Sequence, residues 1–331
     1  MNDIKNLKVN NMIKVVNPSV EMWNQDGYTL DAIWKHIARC ARVCYQSVPK
    51  NDGETDYNFL VRTLFKGCNV LKKYYDKEFI IKTHLSVCEH GTVHLKYRLF
   101  MAKDSARATR FINNPYSKSK EDDGYAYVTT NMRVLIENNW LDELEFIDTT
   151  PNCPYYINRC TFNFITDIGA SRELNRHRVN SISEESTRYC RYNADKFGNN
   201  ITVAKLPWIP AVDPDTGHDY TDGFYNDDEI YYDGIIRDKY AACWEAIDWF
   251  LYGLQIANLV YCKCIELGWT AQQAREILPL NTKTQVVHTA FVDDWQHFID
   301  LRSNGVSGVP HPMIKELADE VKYLIGCKSC G

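Results

Sequence analysis

Apolar residues recur along the chain with two distinct periods. In residues 30–47, Ile33, Ile37, Cys40, Val43 and Cys44 fall on one helical stripe, and in 59–75 Leu60, Leu64 and Leu71 do the same, so both stretches are expected to be helices that bury one face. Val93, Leu95, Tyr97 and Leu99 instead alternate with His94, Lys96 and Arg98, the period of a half-buried strand that leaves His94 on its polar side. Phe162, Phe164 and Ile165 make another strand-like run, leading into the short helix DIGASRELNRH with Asp167 or Ser171 as its N-cap. An acidic, Gly-containing loop at 213–229 precedes a long helical pattern over 230–267. Thr270 and Gln273 form a capping box for a helix that Pro279 stops. A strand over 284–291, a helix over 293–302 and a closing helix over 312–325, ended by Gly326, complete the pattern. Residues 101–158 read as an insertion in a single domain over 1–331: NNPYSKSKEDDGY is turn-rich and charged, and YVTTNMRVLIENNW is expected to be a short helix. Without regular βαβ alternation, the mixture predicts an α+β fold.

Composition narrows the class. With 331 residues, 45% hydrophobic and 24% charged, the chain is a folded protein that needs neither disulfides nor a structural metal to hold its core. The net charge of −5 argues against a generally basic surface that coats nucleic acid, though it leaves room for a local basic pocket. The opening MNDIKNLKVN lacks an apolar signal region, and the greasy stretch 249–262 is interrupted by Gly253, Gln255 and Asn258 and is too short to span a bilayer. A cytoplasmic location with no membrane partner is expected, and the 12 cysteines read as reduced thiols. No metal site is expected: CKSC at 327–330 lacks a second CxxC, Cys262 and Cys264 face different sides of their helix, and Cys40 and Cys44 share a face as core residues.

The densest polar segment is RHRVNSISEESTRYCRYN, residues 176–193, which interleaves Arg176, Arg178, Arg188 and Arg191 with hydroxyls and two carboxylates. Paired guanidinium donors and short neutral hydroxyls suit phosphate. The same spacing also suits a solvated arginine-rich loop paired to its own glutamates, or a Ser186 nucleophile served by His177. A serine flanked by arginines is more simply a phosphate ligand.

Within this segment, RHRVNSISEESTRY resembles the RHRxxSxNExSxRY motif of the flavin-dependent thymidylate synthases, with Ser183 in place of the Asn. HLSVCEHGTV at 84–93 is similar to that family's H-x-[ST]-x-x-E-H segment, and AREILPLNTKT and WQHFIDLR resemble its ARxxLP and HFxxLR segments, all in the family's order. The resemblance implies a fold with an antiparallel-rich sheet, a homotetramer with active sites at subunit interfaces, and bound FAD. It further implies conversion of dUMP to dTMP, with methylenetetrahydrofolate as carbon donor and NADPH as reductant. By motif position it assigns FAD to Ser86, Arg176, His177, Arg178, Glu184 and His297. It assigns dUMP to Glu173, Arg176, Glu184, Glu185, Ser186, Arg188 and Arg275, the catalytic guanidinium to Arg302, and the flavin and folate face to His84. Two positions depart from the pattern: Phe291 and Asp293 stand where many members contact flavin from a neighbouring subunit, and residues 101–158 have no counterpart in the shortest members. A related pyrimidine-modifying flavoprotein and a non-catalytic nucleotide- or RNA-binding protein are the competing readings, and no stable nucleic-acid partner is expected.

Overall fold

A computed structural model describes residues 13–48, 53–72, 83–209, 224–225 and 246–328. The loop at 213–229 (save 224–225), the first part of the 230–267 pattern, the end of 59–75 and Cys330 lie outside the described residues. In chain order the elements are β1 (Ile13–Val16), β2 (Ser19–Met22), α1 (Leu30–Tyr45), α2 (Asp56–Thr63), β3 (Thr92–Arg98), α3 (Ala102–Ile112), β4 (Lys118–Asp122), β5 (Tyr125–Asn131) and α4 (Met132–Glu137). There follow β6 (Arg159–Asp167), α5 (Ile168–Leu174), β7 (Ser181–Glu184), β8 (Thr202–Ala204), β9 (Phe224–Tyr225), α6 (Ala246–Glu266), α7 (Ala271–Ala274), β10 (Lys283–Phe291), α8 (Val292–Arg302) and α9 (Pro312–Lys328). The fold is α+β, as expected.

The central sheet has the order β2-β6-β10-β7 and is antiparallel throughout, with β10 matched to β6 from Lys283↔Asp167 to Phe291↔Arg159. Side chains alternate across it. Phe162, Phe164 and Val286 pack on one face against Trp295, Phe298 and the apolar side of α9. The other face presents Thr161 and Thr289 to His36 and His90. Helix α1 is capped where Thr29 accepts from the Ala32 amide at 3.2 Å, and it buries the expected stripe of Ile33, Ile37, Cys40 and Val43.

Four expectations are corrected. The helix expected through 59–75 ends at Thr63, because Lys66 (φ 51°) and Gly67 (φ 83°) turn the backbone left-handed, and Leu71 is exposed. In the insertion, YVTTN is a strand: β4 and β5 form a hairpin on Asp123 and Gly124, both at positive φ, and pair onto β3. Of the stretch YVTTNMRVLIENNW only α4 is helical, capped by Asn131, whose Oδ1 accepts from the Val134 amide at 3.1 Å. Residues 101–158 therefore furnish core, with Phe111, Val128 and Leu135 in the same cluster as Ile33 and Ile37. His94 is buried, stacked between Tyr28 (3.7 Å) and Tyr156 (4.0 Å), because the loops at 23–29 and 148–158 cover that face of β3. Finally, α9 runs through Gly326 to Lys328. No helix among the described residues is long and apolar enough to cross a membrane.

Candidate functional site

Strand β6 ends at Asp167, whose carboxylate accepts from the Ala170 amide at 2.6 Å and starts α5. That short helix carries Glu173 to its last turn, and the chain then bends through 175–180 into β7. His177, on the bend, is buried against the ring of Phe298 at 4.9 Å. Arg302, at the end of α8, closes the arrangement. Its Nη1 pairs with Glu173 Oε2 at 2.8 Å, its Nη2 donates to the Glu173 carbonyl at 3.4 Å, and its Nε donates to His177 Nε2 at 3.2 Å. Burial first, then the charges of Arg302 and His297, pull His177 down to about 4, so at neutral pH the imidazole is uncharged and accepts from the guanidinium.

Around this cluster the other candidates divide. Arg176 and Arg178 are exposed, with no ion pair among the described residues. Glu184 accepts from Asn175 Nδ2 at 2.8 Å and from Thr284 Oγ1 at 3.3 Å, which fixes its carboxylate at the end of β7. Ser186 is partly buried and its amide donates to the Cys44 carbonyl at 2.9 Å, seating the segment on the C-terminus of α1. Arg188 reaches Gln272 Oε1 at 3.1 Å, bringing it to the segment that carries Arg275, which itself pairs with Glu276 at 3.3 Å. His297 is exposed, its ring centroid 6.4 Å from that of His177. His84 and Ser86 are exposed at and beside a 3-10 turn, Leu85–His90, that packs behind β7. Glu185 is turned inward: its carboxylate accepts from Lys283 Nζ at 2.6 Å, Gln46 Nε2 at 3.0 Å and Tyr192 Oη at 3.2 Å. Phe291 is buried, and Asp293 pairs with Lys118 at 3.2 Å.

Sequence reasoning missed the supports behind β7. His90 is fully buried and bridges Thr289 Oγ1 (2.7 Å) and Ser183 Oγ (3.0 Å), and the chain of hydrogen bonds continues through Thr161 (2.7 Å) to His36 (3.0 Å). The signal that could have found them is the period-2 placement of Thr161, Asn163, Ser181, Ser183 and Thr289 in otherwise apolar strands. Gln46 was equally hidden: its left-handed backbone (φ 48°), closing α1, aims its amide at Glu185 and Gln285. The donor set of unpaired Arg176 and Arg178, exposed Ser86 and a neutral His177 fits an anionic nucleotide cofactor.

Comparison with known proteins supplies the family. A Flavin-dependent thymidylate synthase from Thermosipho melanesiensis is 26% identical over 149 residues, which are 44% of this chain and 54% of that protein. The chain thus matches about half the length of this curated relative. Two crystal structures of a UMP/dUMP methylase PolB from Streptomyces cacaoi, bound with 5-Br UMP and with 5-Br dUMP, cover 94% of this chain and 90% and 91% of theirs, at 16% and 14% identity and TM-scores of 0.38 and 0.39. Likeness at those scores bears on neither substrate nor mechanism. The family described as Thymidylate synthase complementing protein matches residues 154–325, the stretch that holds α5, the arginine-rich segment, β10 and α8. As that match spans more than half of the sequence, the chain belongs to the thymidylate synthase complementing protein family.

Proposed function

We infer that the protein is a flavin-dependent thymidylate synthase that methylates dUMP reductively to dTMP, with methylenetetrahydrofolate as carbon donor and NADPH as reductant. The observation that carries this reading is the meeting of Arg302, from the WQHFIDLR segment, with His177 of the arginine-rich segment and Glu173 just before it, in one hydrogen-bonded cluster. FAD, when bound, supplies the hydride chemistry. In this reading Arg176, His177, Arg178, Glu184, Ser86 and His297 hold it, and His84 lies toward the flavin and folate face.

The chain's own task is to bind the nucleotide and stabilise charge. Arg302 brings a planar guanidinium cation with several donors in a fixed fork. Held by Glu173 and by the lone pair of His177, it is pre-aimed to stabilise negative charge developing on a uracil ring. Arg176, Arg188, Arg275 and Ser186 offer donors to the phosphate of dUMP, with Glu173 and Glu184 toward the sugar and base. Four buried cysteines are poor candidates for a thiolate nucleophile. Burial pushes Cys40 and Cys88 far above the ordinary thiol range, Cys190 to about 12 and Cys262 to about 11, so each is protonated at neutral pH. In this reading the protein is a cytoplasmic homotetramer with sites completed at its interfaces, where Arg176 and Arg178, exposed and without an ion pair among the described residues, are free to meet a ligand.

The test is anaerobic. The purified protein is expected to carry a flavin spectrum, to bleach with NADPH, and to yield dTMP by mass once dUMP and methylenetetrahydrofolate are added. A colourless protein that cannot be reconstituted with FAD overturns the reading.

A further inference from the structure

Arg159, the first residue of β6, carries a guanidinium that no carboxylate of the described chain balances. Its Nη1 donates to Thr92 Oγ1 at 3.2 Å, and its Nη2 to the Glu89 carbonyl at 3.0 Å and to Ser181 Oγ at 3.3 Å. All three acceptors are neutral, and Nε is shielded from solvent with no partner. The carboxylates of Glu89 and Asp294 act on it only from beyond ion-pair distance, and Glu89 is already paired with Arg133. Burial draws the guanidinium down to about 10, as befits a cation short of counter-charge. The hydroxyls of Thr92 and Ser181 accept from Arg159, and their own protons have no acceptor among the described residues. A second cation stands close by: Phe291, the cross-strand neighbour of Arg159, has Arg159 Cζ 5.6 Å and Lys118 Nζ 4.5 Å from its ring centroid, and that lysine also pairs with the exposed carboxylate of Asp293 at 3.2 Å.

A partly buried charge without an ion-pair partner among the described residues is costly to keep, and the two hydroxyls bonded to this one keep protons that can be donated. We propose that Arg159, Thr92 and Ser181, with Lys118 alongside, form an oxyanion site that takes a phosphoryl group of a nucleotide or dinucleotide ligand. A guanidinium presents paired donors to phosphate oxygens, and the two hydroxyls add short neutral ones. The site lies on the face of the central sheet turned toward His36 and His90, whereas Glu173, His177 and Arg302 gather on the face of Phe298. It stands on this geometry whatever the reaction proves to be.

Calorimetric titration of the full chain with inorganic pyrophosphate, FAD and dUMP, repeated on Arg159→Gln and Arg159→Lys, tests it. The parent is expected to bind pyrophosphate, the glutamine variant at least about tenfold more weakly, and the lysine variant within a fewfold of the parent. The ligand-free glutamine variant is expected to melt at or above the parent temperature, because the unbalanced charge is gone. Whichever of FAD and dUMP loses affinity in step with pyrophosphate identifies the source of the phosphoryl group. Binding of all three probes by Arg159→Gln as tightly as by the parent overturns the proposal whatever its melting temperature, and so does a parent that binds none of them. Arg159-dependent pyrophosphate binding in a protein that makes no dTMP would leave this site standing and sink the proposed reaction. Normal turnover with unaltered binding in the variant would do the reverse.

Discussion

Arg302 is held at three points, by the carboxylate and carbonyl of Glu173 and by His177, and each contact restricts a guanidinium that would otherwise sweep solvent. Removing such a pre-aimed donor removes transition-state stabilisation more than binding. Arg302→Ala is therefore expected to keep FAD and dUMP binding while product formation falls by about 10²–10³ or more; turnover equal to the parent would refute the role. Glu185 makes a different argument at the same scale. Three donors converge on a fully buried carboxylate, and Lys283 alone among them brings charge. Lys283→Ala leaves that carboxylate unbalanced and is expected to cost about 3–5 kcal/mol, whereas the joint replacement Glu185→Gln with Lys283→Met recovers much of the loss. Urea unfolding midpoints of the single and double variants decide between this and a merely additive effect.

Among the elements, the approach of α1 to the turn before β3 depends on a missing side chain. A Cβ on Gly91 would come within 2.5 Å of Ile37 Cδ1 and 2.9 Å of Ile33 Cγ2, both on the buried stripe of α1. The backbone there has an ordinary negative φ of −75°, so the requirement is for space and not for a special conformation. Gly91→Ala is expected to destabilise by about 1–3 kcal/mol through overpacking, read as a lowered thermal midpoint, and Ile37→Val in the same chain should relieve part of it. Since α1 also seats Ser186 and, through Gln46, Glu185, the same shift is expected to weaken dUMP binding.

Over the whole molecule, the buried histidines give stability a pH dependence. Burial holds His36 and His177 at about 4 and His94 and His288 at about 3, with His90 also well below its ordinary value. The unfolded chain protonates these rings near 6.5 and the folded chain does not, so their contribution is complete above about pH 6.5 and is lost as pH falls toward 4 and 3. Within that window each such ring adds up to about 1.4 kcal/mol per pH unit to the slope. Unfolding free energy measured from pH 7 to 4 is expected to fall steeply. His94→Phe, which can keep the stack between Tyr28 and Tyr156, is expected to remove one proton's share of that slope. An unchanged slope would mean that His94 is not shielded in solution.

Much of this organisation was legible in the residue pattern, because the determinants were local. The stripe of α1, the Asp167 cap of α5, the Thr270 and Gln273 capping box and the β6 and β10 strands follow from periodicity and from side chains that bond within a few residues. The motif positions likewise marked Glu173, His177 and Arg302 as candidate site residues with separate roles, and their meeting in one hydrogen-bonded cluster came from the fold. What tertiary structure alone decided was the meaning of residues whose partners lie far away in sequence. YVTTN became a strand because β3 offered it a ladder, and His94 left the polar side because two loops closed over it. Glu185 became an internal clamp because Lys283 and Gln46 arrive from elsewhere, and Arg159 packs where no carboxylate of the described residues pairs with it, which no local rule could have shown. Local hydrogen bonding and burial period are properties of neighbouring residues, whereas desolvation and charge balance depend on which distant segments pack together.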